Sequence, residues 1–129
     1  MTWINYLLVF MGAGAGGVFR WMMTGVISRH VSPSLFWFGT LSVNVLGALL
    51  IGVFAALLAR SDHRYVLLVT GLLGGFTTFS AFSLEAVMLM RSQAYGHAVI
   101  YISASVLLCL IATTLGFWLT SKLFTSSLG

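Results

Sequence analysis

Polar residues are so sparse along this chain that their positions divide it into four apolar stretches: Trp3–Ile27, Leu35–Ala59, Tyr65–Met90 and His97–Leu119. Each holds the roughly 20 apolar residues that an α-helix needs to cross a bilayer. The pattern predicts an all-α membrane protein with four transmembrane helices in a single domain of 129 residues. The connections are short: Ser28–Ser34 with the only proline, Pro33, then Arg60–Arg64, then Arg91–Gly96. Six aromatic residues, Trp3, Trp21, Trp37, Tyr65, Tyr95 and Trp118, fall near proposed span ends and read as interfacial anchors.

Composition agrees. The chain is 60% hydrophobic and 6% charged, against about 25% charged in soluble domains. A core this small cannot hide that much apolar surface from water, so the solvent is lipid. The net charge of +4 comes from six scattered basic residues against Asp62 and Glu85, with no basic run; nucleic acid is therefore not an expected partner. Cys109 has no second cysteine to pair with, and His30, His63 and His97 lack metal-ligand spacing. No Lys or Arg precedes Arg20, so the N-terminus is expected to stay as a spanning helix rather than leave as a signal peptide.

Four spans put both termini on one side. That side carries Arg60, Arg64 and Lys122; the other carries Arg29 and Arg91, with Arg20 if it snorkels there. Three against two or three is almost no bias under the positive-inside rule. One reading is insertion both ways, with pairing as an antiparallel homodimer. The other is a weak bias that still suffices.

Within the spans, GAGAGG (Gly12 to Gly17) formally fits a dinucleotide fingerprint, but no acid follows before Asp62 and no βαβ unit surrounds it. Small residues that let helix backbones approach are the better reading, with Gly39, Gly47 and Gly52 serving likewise in the second span. Arg20 either snorkels from a span end or sets a cation at a vestibule. Asn44 lies near the centre of the second span; an unpaired amide in hydrocarbon costs several kcal/mol, so it faces a partner helix or an aqueous path. Tyr101, Ser105, Cys109 and Thr113 recur every four residues and stack along one face of the fourth span. They either line a path with donors or bond back to their own helix. Glu85, the only acid in a span, follows Phe79 and Phe82 at intervals of three.

GGFTTFS, Gly74 to Ser80, puts poor helix formers in the middle of the third span. Irregular backbone at membrane depth is tolerated only where protein buries it or it lines a cavity. The segment predicts a third helix broken at its centre, with freed carbonyls of the kind that hold Na⁺ in broken transporter helices. A kink relieved by water is the alternative.

These residues carry a resemblance. Gly39–Thr40 with Asn44 and Gly47, GGFTTFSAF in the third span, and GAGAGGVFR ending in Arg20 look like the Fluc (CrcB) fluoride channel family, over essentially the whole chain. The resemblance implies an antiparallel dual-topology homodimer in a bacterial inner membrane, with two fluoride pores and a structural Na⁺ on the two-fold axis. The Na⁺ would be bound by main-chain carbonyls of Gly74 and Thr77. It further implies fluoride contacts from the ring edges of Phe79 and Phe82, a pore amide at Asn44, a pore hydroxyl at Ser80, and a polar track of Tyr101, Ser105, Cys109 and Thr113. Arg20 and Glu85 become vestibule or gating candidates. The family often has a hydroxyl residue where Cys109 stands, and a thiol is a weaker donor. The expected function is passive export of fluoride that accumulates as HF enters and dissociates. No catalytic constellation is visible, so no enzymatic activity is expected. The main rival is a proton-coupled small multidrug transporter, also a four-span dimer, which relies on a first-span glutamate; here Glu85 is in the third span.

Overall fold

The computed structural model describes residues 2–126. Helix α1 runs from Trp3 to His30. It stops where Val31 turns extended, and Pro33 opens a single 3-10 turn, Pro33–Leu35. Helix α2 spans Phe38–Leu57 and ends at an extended Leu58. Asp62 then caps the next helix by accepting the backbone N–H of Arg64 at 2.8 Å. The Arg64 guanidinium bonds the same carboxylate at 2.8 Å. Those hydrogen bonds hold the Asp62 carboxyl below its ordinary range.

The third span is built from unlike pieces. Residues 63–76, here α3, begin as an α-turn (His63–Tyr65), widen to i→i+5 winding over Val66–Leu73 and return to α geometry at Gly74–Phe76. Thr77 and Thr78 are extended, at φ −78°, ψ 154° and φ −148°, ψ 117°. Helix α4 resumes at Phe79 and runs to Arg91. A tight turn with Gln93 at φ 59° leads into α5, Tyr95–Ser126. Among the described residues, four stretches are long and apolar enough to cross a membrane: Trp3–His30, Pro33–Leu57, His63–Arg91 and Tyr95–Phe124. The first, third and fourth extend a few residues beyond the expected spans, while the second begins two residues early and ends at Leu57, two residues before the expected Ala59.

Two seams position the site. Along the first, α1 meets α3 backbone to backbone. A Cβ on Gly12 would sit 2.6 Å from the Leu67 carbonyl oxygen, and one on Gly16 or Gly75 would collide with the backbone of Leu72 or Ala13. Along the second, α2 lies against α5, with Gly52 on the Thr113 backbone and Gly116 on that of Leu49. Without a hydrophobic drive between helices in lipid, such close approach supplies dispersion contact. Gly14 meets nothing, so only part of the glycine-rich run serves this purpose.

Two sequence readings change here. Gly74 and Gly75 are helical; the residues that leave the helix are the threonines. And Trp37 is not an interfacial anchor. Trp3 and Trp21 are 87% and 76% exposed, but Trp37 is 5% exposed, in a core cluster with Leu41, Phe82, Leu89 and Tyr101. The turn Pro33–Leu35 carries the chain inward before α2 begins, so the ring points at α5.

Candidate functional site

The extended pair Thr77–Thr78 is held by one side chain. The Thr78 N–H donates to Asn44 Oδ1 at 2.7 Å, and Asn44 Nδ2 donates to the Thr78 carbonyl at 2.9 Å. The carboxamide therefore pairs with Thr78 as a neighbouring strand would. This consumes the acceptor and one of the two donors of Asn44, leaving one N–H. The Thr78 hydroxyl accepts the N–H of Ala81 at 3.1 Å and so caps α4. It also lies 3.2 Å from the Ser80 hydroxyl.

These side-chain bonds take donors away from the backbone. In a continuous α-helix the N–H groups of Thr78 and Ala81 would serve the carbonyls of Gly74 and Thr77, four residues earlier. Both N–H groups are engaged by side chains instead. Gly74 is exposed, and a Cβ there would have free space around it, with its nearest neighbour at 3.8 Å.

Thr78 separates two grooves. The first, about 630 Å³, brings together Arg20, Thr24, Thr40, Ser80 and Glu85. The Glu85 carboxylate accepts the Thr40 hydroxyl on Oε1 at 2.7 Å and the Tyr101 hydroxyl on Oε2 at 2.6 Å. Arg20 opens into the same groove, but the ion pair among the described residues is Arg64 with Asp62. The second groove, about 380 Å³, is lined by Asn44, Phe79, Phe82, Ser105, Cys109 and Thr113, with Thr77 and Thr78 at its edge.

The fourth-span stripe divides between them. Ser105, Cys109 and Thr113 face the second groove. Tyr101 is fully buried, beneath Phe82 (ring centroids 5.2 Å apart), and sends its hydroxyl to Glu85. Thr113 donates to the Ala48 carbonyl at 3.0 Å, while the buried Ser105 hydroxyl has no partner among the described residues. Phe79 and Phe82 are 5.3 Å apart; Phe82 is buried and Phe79 is 77% exposed. Spacing along one helix placed Phe79, Phe82 and Glu85 on one side, but Phe79 opens to the second groove and Glu85 to the first. Thr40, which bonds Glu85, was noted in the sequence only as part of a motif; no spacing rule points from α2 to an acid 45 residues away.

Comparison with known proteins extends this. The family profile described as "CrcB-like protein, Camphor Resistance (CrcB)" matches residues 7–117. The "Fluoride-specific ion channel FluC" of Sulfurovum sp. (strain NBC37-1) is 44% identical over 124 residues, 92% of this chain and 97% of that one. Proteins with the same description from Phocaeicola vulgatus and Agrobacterium fabrum are 43% and 44% identical, covering 90% and 94% of this chain and 98% and 99% of their own length.

Proposed function

This chain belongs to the CrcB family, and on that premise we propose that it is a fluoride-selective channel that lets fluoride leave a bacterial cytoplasm passively across the inner membrane. The observation that carries the reading is the second groove, where unspent donors face aromatic rings. Among the described residues, the Ser105 hydroxyl and the second N–H of Asn44 have no acceptor. Fluoride is small and strongly hydrated, so a pore must replace its water with donors. Cys109 adds a weaker thiol donor. The edges of Phe79 and Phe82 carry partial positive charge. Weak sites of this kind hold an ion and release it, as conduction requires.

The working unit is proposed to be an antiparallel dual-topology homodimer with two pores. Two features support this. Lysine and arginine are almost evenly divided between the two membrane faces, and Phe79 is exposed on the single chain, leaving the second groove open on one side. Arg20 lies in the first groove, where a cation draws anions toward the pore from a vestibule.

A structural Na⁺ is part of the proposal. The carbonyls of Gly74 and Thr77, deprived of their α-helical donors, are hard oxygen ligands of the type that suits an alkali cation. Four such oxygens from two chains would hold it. When bound it supplies fixed positive charge near the anion's path. The residues of this chain do the rest: Asn44 takes the Thr78 N–H that a continuous helix would give to the Gly74 carbonyl, and so keeps that oxygen free of its helical donor.

A drug–proton exchanger fits less well. Glu85 is hydrogen-bonded by two hydroxyls and shares its groove with Arg20, which repels lipophilic cations.

Liposomes containing the pure protein test the proposal. Fluoride efflux well above chloride efflux is expected, with Phe79→Ile and Asn44→Ala suppressing it. Folded wild-type protein that passes no fluoride eliminates the reading.

A further inference from the structure

The Tyr101–Glu85 hydrogen bond depends on where the phenol ring stands. Two rings flank it. Phe82 meets it edge-on at 5.2 Å and 65°, and the Trp37 indole lies against it at 5.1 Å and 35°. Once both flanks are filled, the phenol cannot swing about its side-chain torsions, and its hydroxyl is aimed at Glu85 Oε2, 2.6 Å away. Trp37 thus reaches the first groove only through Tyr101.

The indole N–H sharpens the point. Trp37 Nε1 is buried and has no hydrogen-bond partner among the described residues. Buried indole N–H groups ordinarily find an acceptor, and leaving one unpaired is unfavourable. Hydrogen bonding is therefore not what holds the ring in this place; its size and flatness against Tyr101 are.

We infer that Trp37 is a positioning residue: its indole is the wall that keeps the Tyr101 phenol on Glu85, and so fixes the carboxylate in the groove it shares with Arg20. The consequence for flux rests on reading that groove as part of a fluoride path; the geometric claim does not.

Two measurements test it on the full-length protein in liposomes or detergent. The first uses 3-fluorotyrosine placed at position 101. Its ¹⁹F resonance reports the phenol's hydrogen bond, and Glu85→Ala defines the bond-free position. Trp37→Leu should move the resonance toward that position, while Trp37→Phe should leave it near wild type. The second is a double-mutant cycle on fluoride efflux. Trp37→Leu should lower efflux about tenfold, close to 1.4 kcal/mol in barrier. Added to Tyr101→Phe it should cost nothing further. A merely structural tryptophan would cost the same in both backgrounds. Where Trp37→Leu fails to fold, Trp37→Met removes the ring and keeps the bulk.

An unmoved resonance in Trp37→Leu, or multiplicative losses in the cycle, overturns the inference. So does a Trp37→Phe variant as damaged as Trp37→Leu, because a flat aromatic ring beside Tyr101 would then not be what holds the phenol. If wild type passes no fluoride, the functional reading fails and the ¹⁹F resonance alone decides the role of Trp37.

Discussion

Gly74–Gly75 and Thr77–Thr78 lie on either side of Phe76, and they do opposite things. The glycines stay helical. Gly75 is there because α1 leaves no room for a side chain: a Cβ would collide with the Ala13 backbone. The threonines leave the helix because better partners lie elsewhere. Asn44 offers Thr78 both an acceptor and a donor, and the Thr78 hydroxyl caps the next helix. In lipid every backbone group freed from a helix must find another partner. Thr77 and Thr78 are therefore extended where partners are supplied, not merely where propensity is low.

Substitutions can pull the two pairs apart. The largest loss is expected for Gly75→Ala, because the obstructing atoms are backbone and cannot yield; a cost at or above about 3 kcal/mol follows from overpacking. Gly14→Ala, with open space around it, is the control. Yield and thermal stability of the purified protein measure both, and equal behaviour would undo the close-approach argument. Asn44→Ala comes next. It strands the buried N–H and carbonyl of Thr78, at about 1–3 kcal/mol for each group left unsatisfied. Hydrogen exchange at Thr78 should rise and fluoride efflux fall together.

Thr78→Ala should cost about 1 kcal/mol through loss of the cap on α4, with Thr78→Ser restoring it. Thr77→Ala should cost less, since the Thr77 hydroxyl only bonds back to the Leu73 carbonyl. The smallest effect is expected for Gly74→Ala. The single chain has room for the methyl, and alanine is the better helix former by up to about 1 kcal/mol. A large loss there would mean that a second chain covers this face, which would strengthen the dimer and Na⁺ proposals.

Much of this was legible before any coordinates. The four apolar runs do form four helices long and apolar enough to cross a membrane, and Gly39, Gly47 and Gly52 on α2 do each lie where another element presses close. Asn44 was visible as a group needing a partner, although not that its partner is a backbone. Trp37 near a span end, Tyr101 at the head of a stripe and Phe79 in register with Glu85 are read from the sequence by position along one helix. Each is governed by what lies across from it: the tilt of Trp37 into α5, the pull of Glu85 on Tyr101, and the division of the third span into two grooves.

The sequence alone determined the solvent, the number of spans and the stretch of the third span where helix is weakest. Those follow from apolarity, length and local propensity, which are additive along the chain. Only the tertiary structure decided which residues leave the helix, which donors remain unspent and which ring stands behind Tyr101. Those depend on hydrogen bonds and contacts between residues tens of positions apart, such as Asn44 with Thr78 and Thr40 with Glu85. No periodicity within a single helix encodes them.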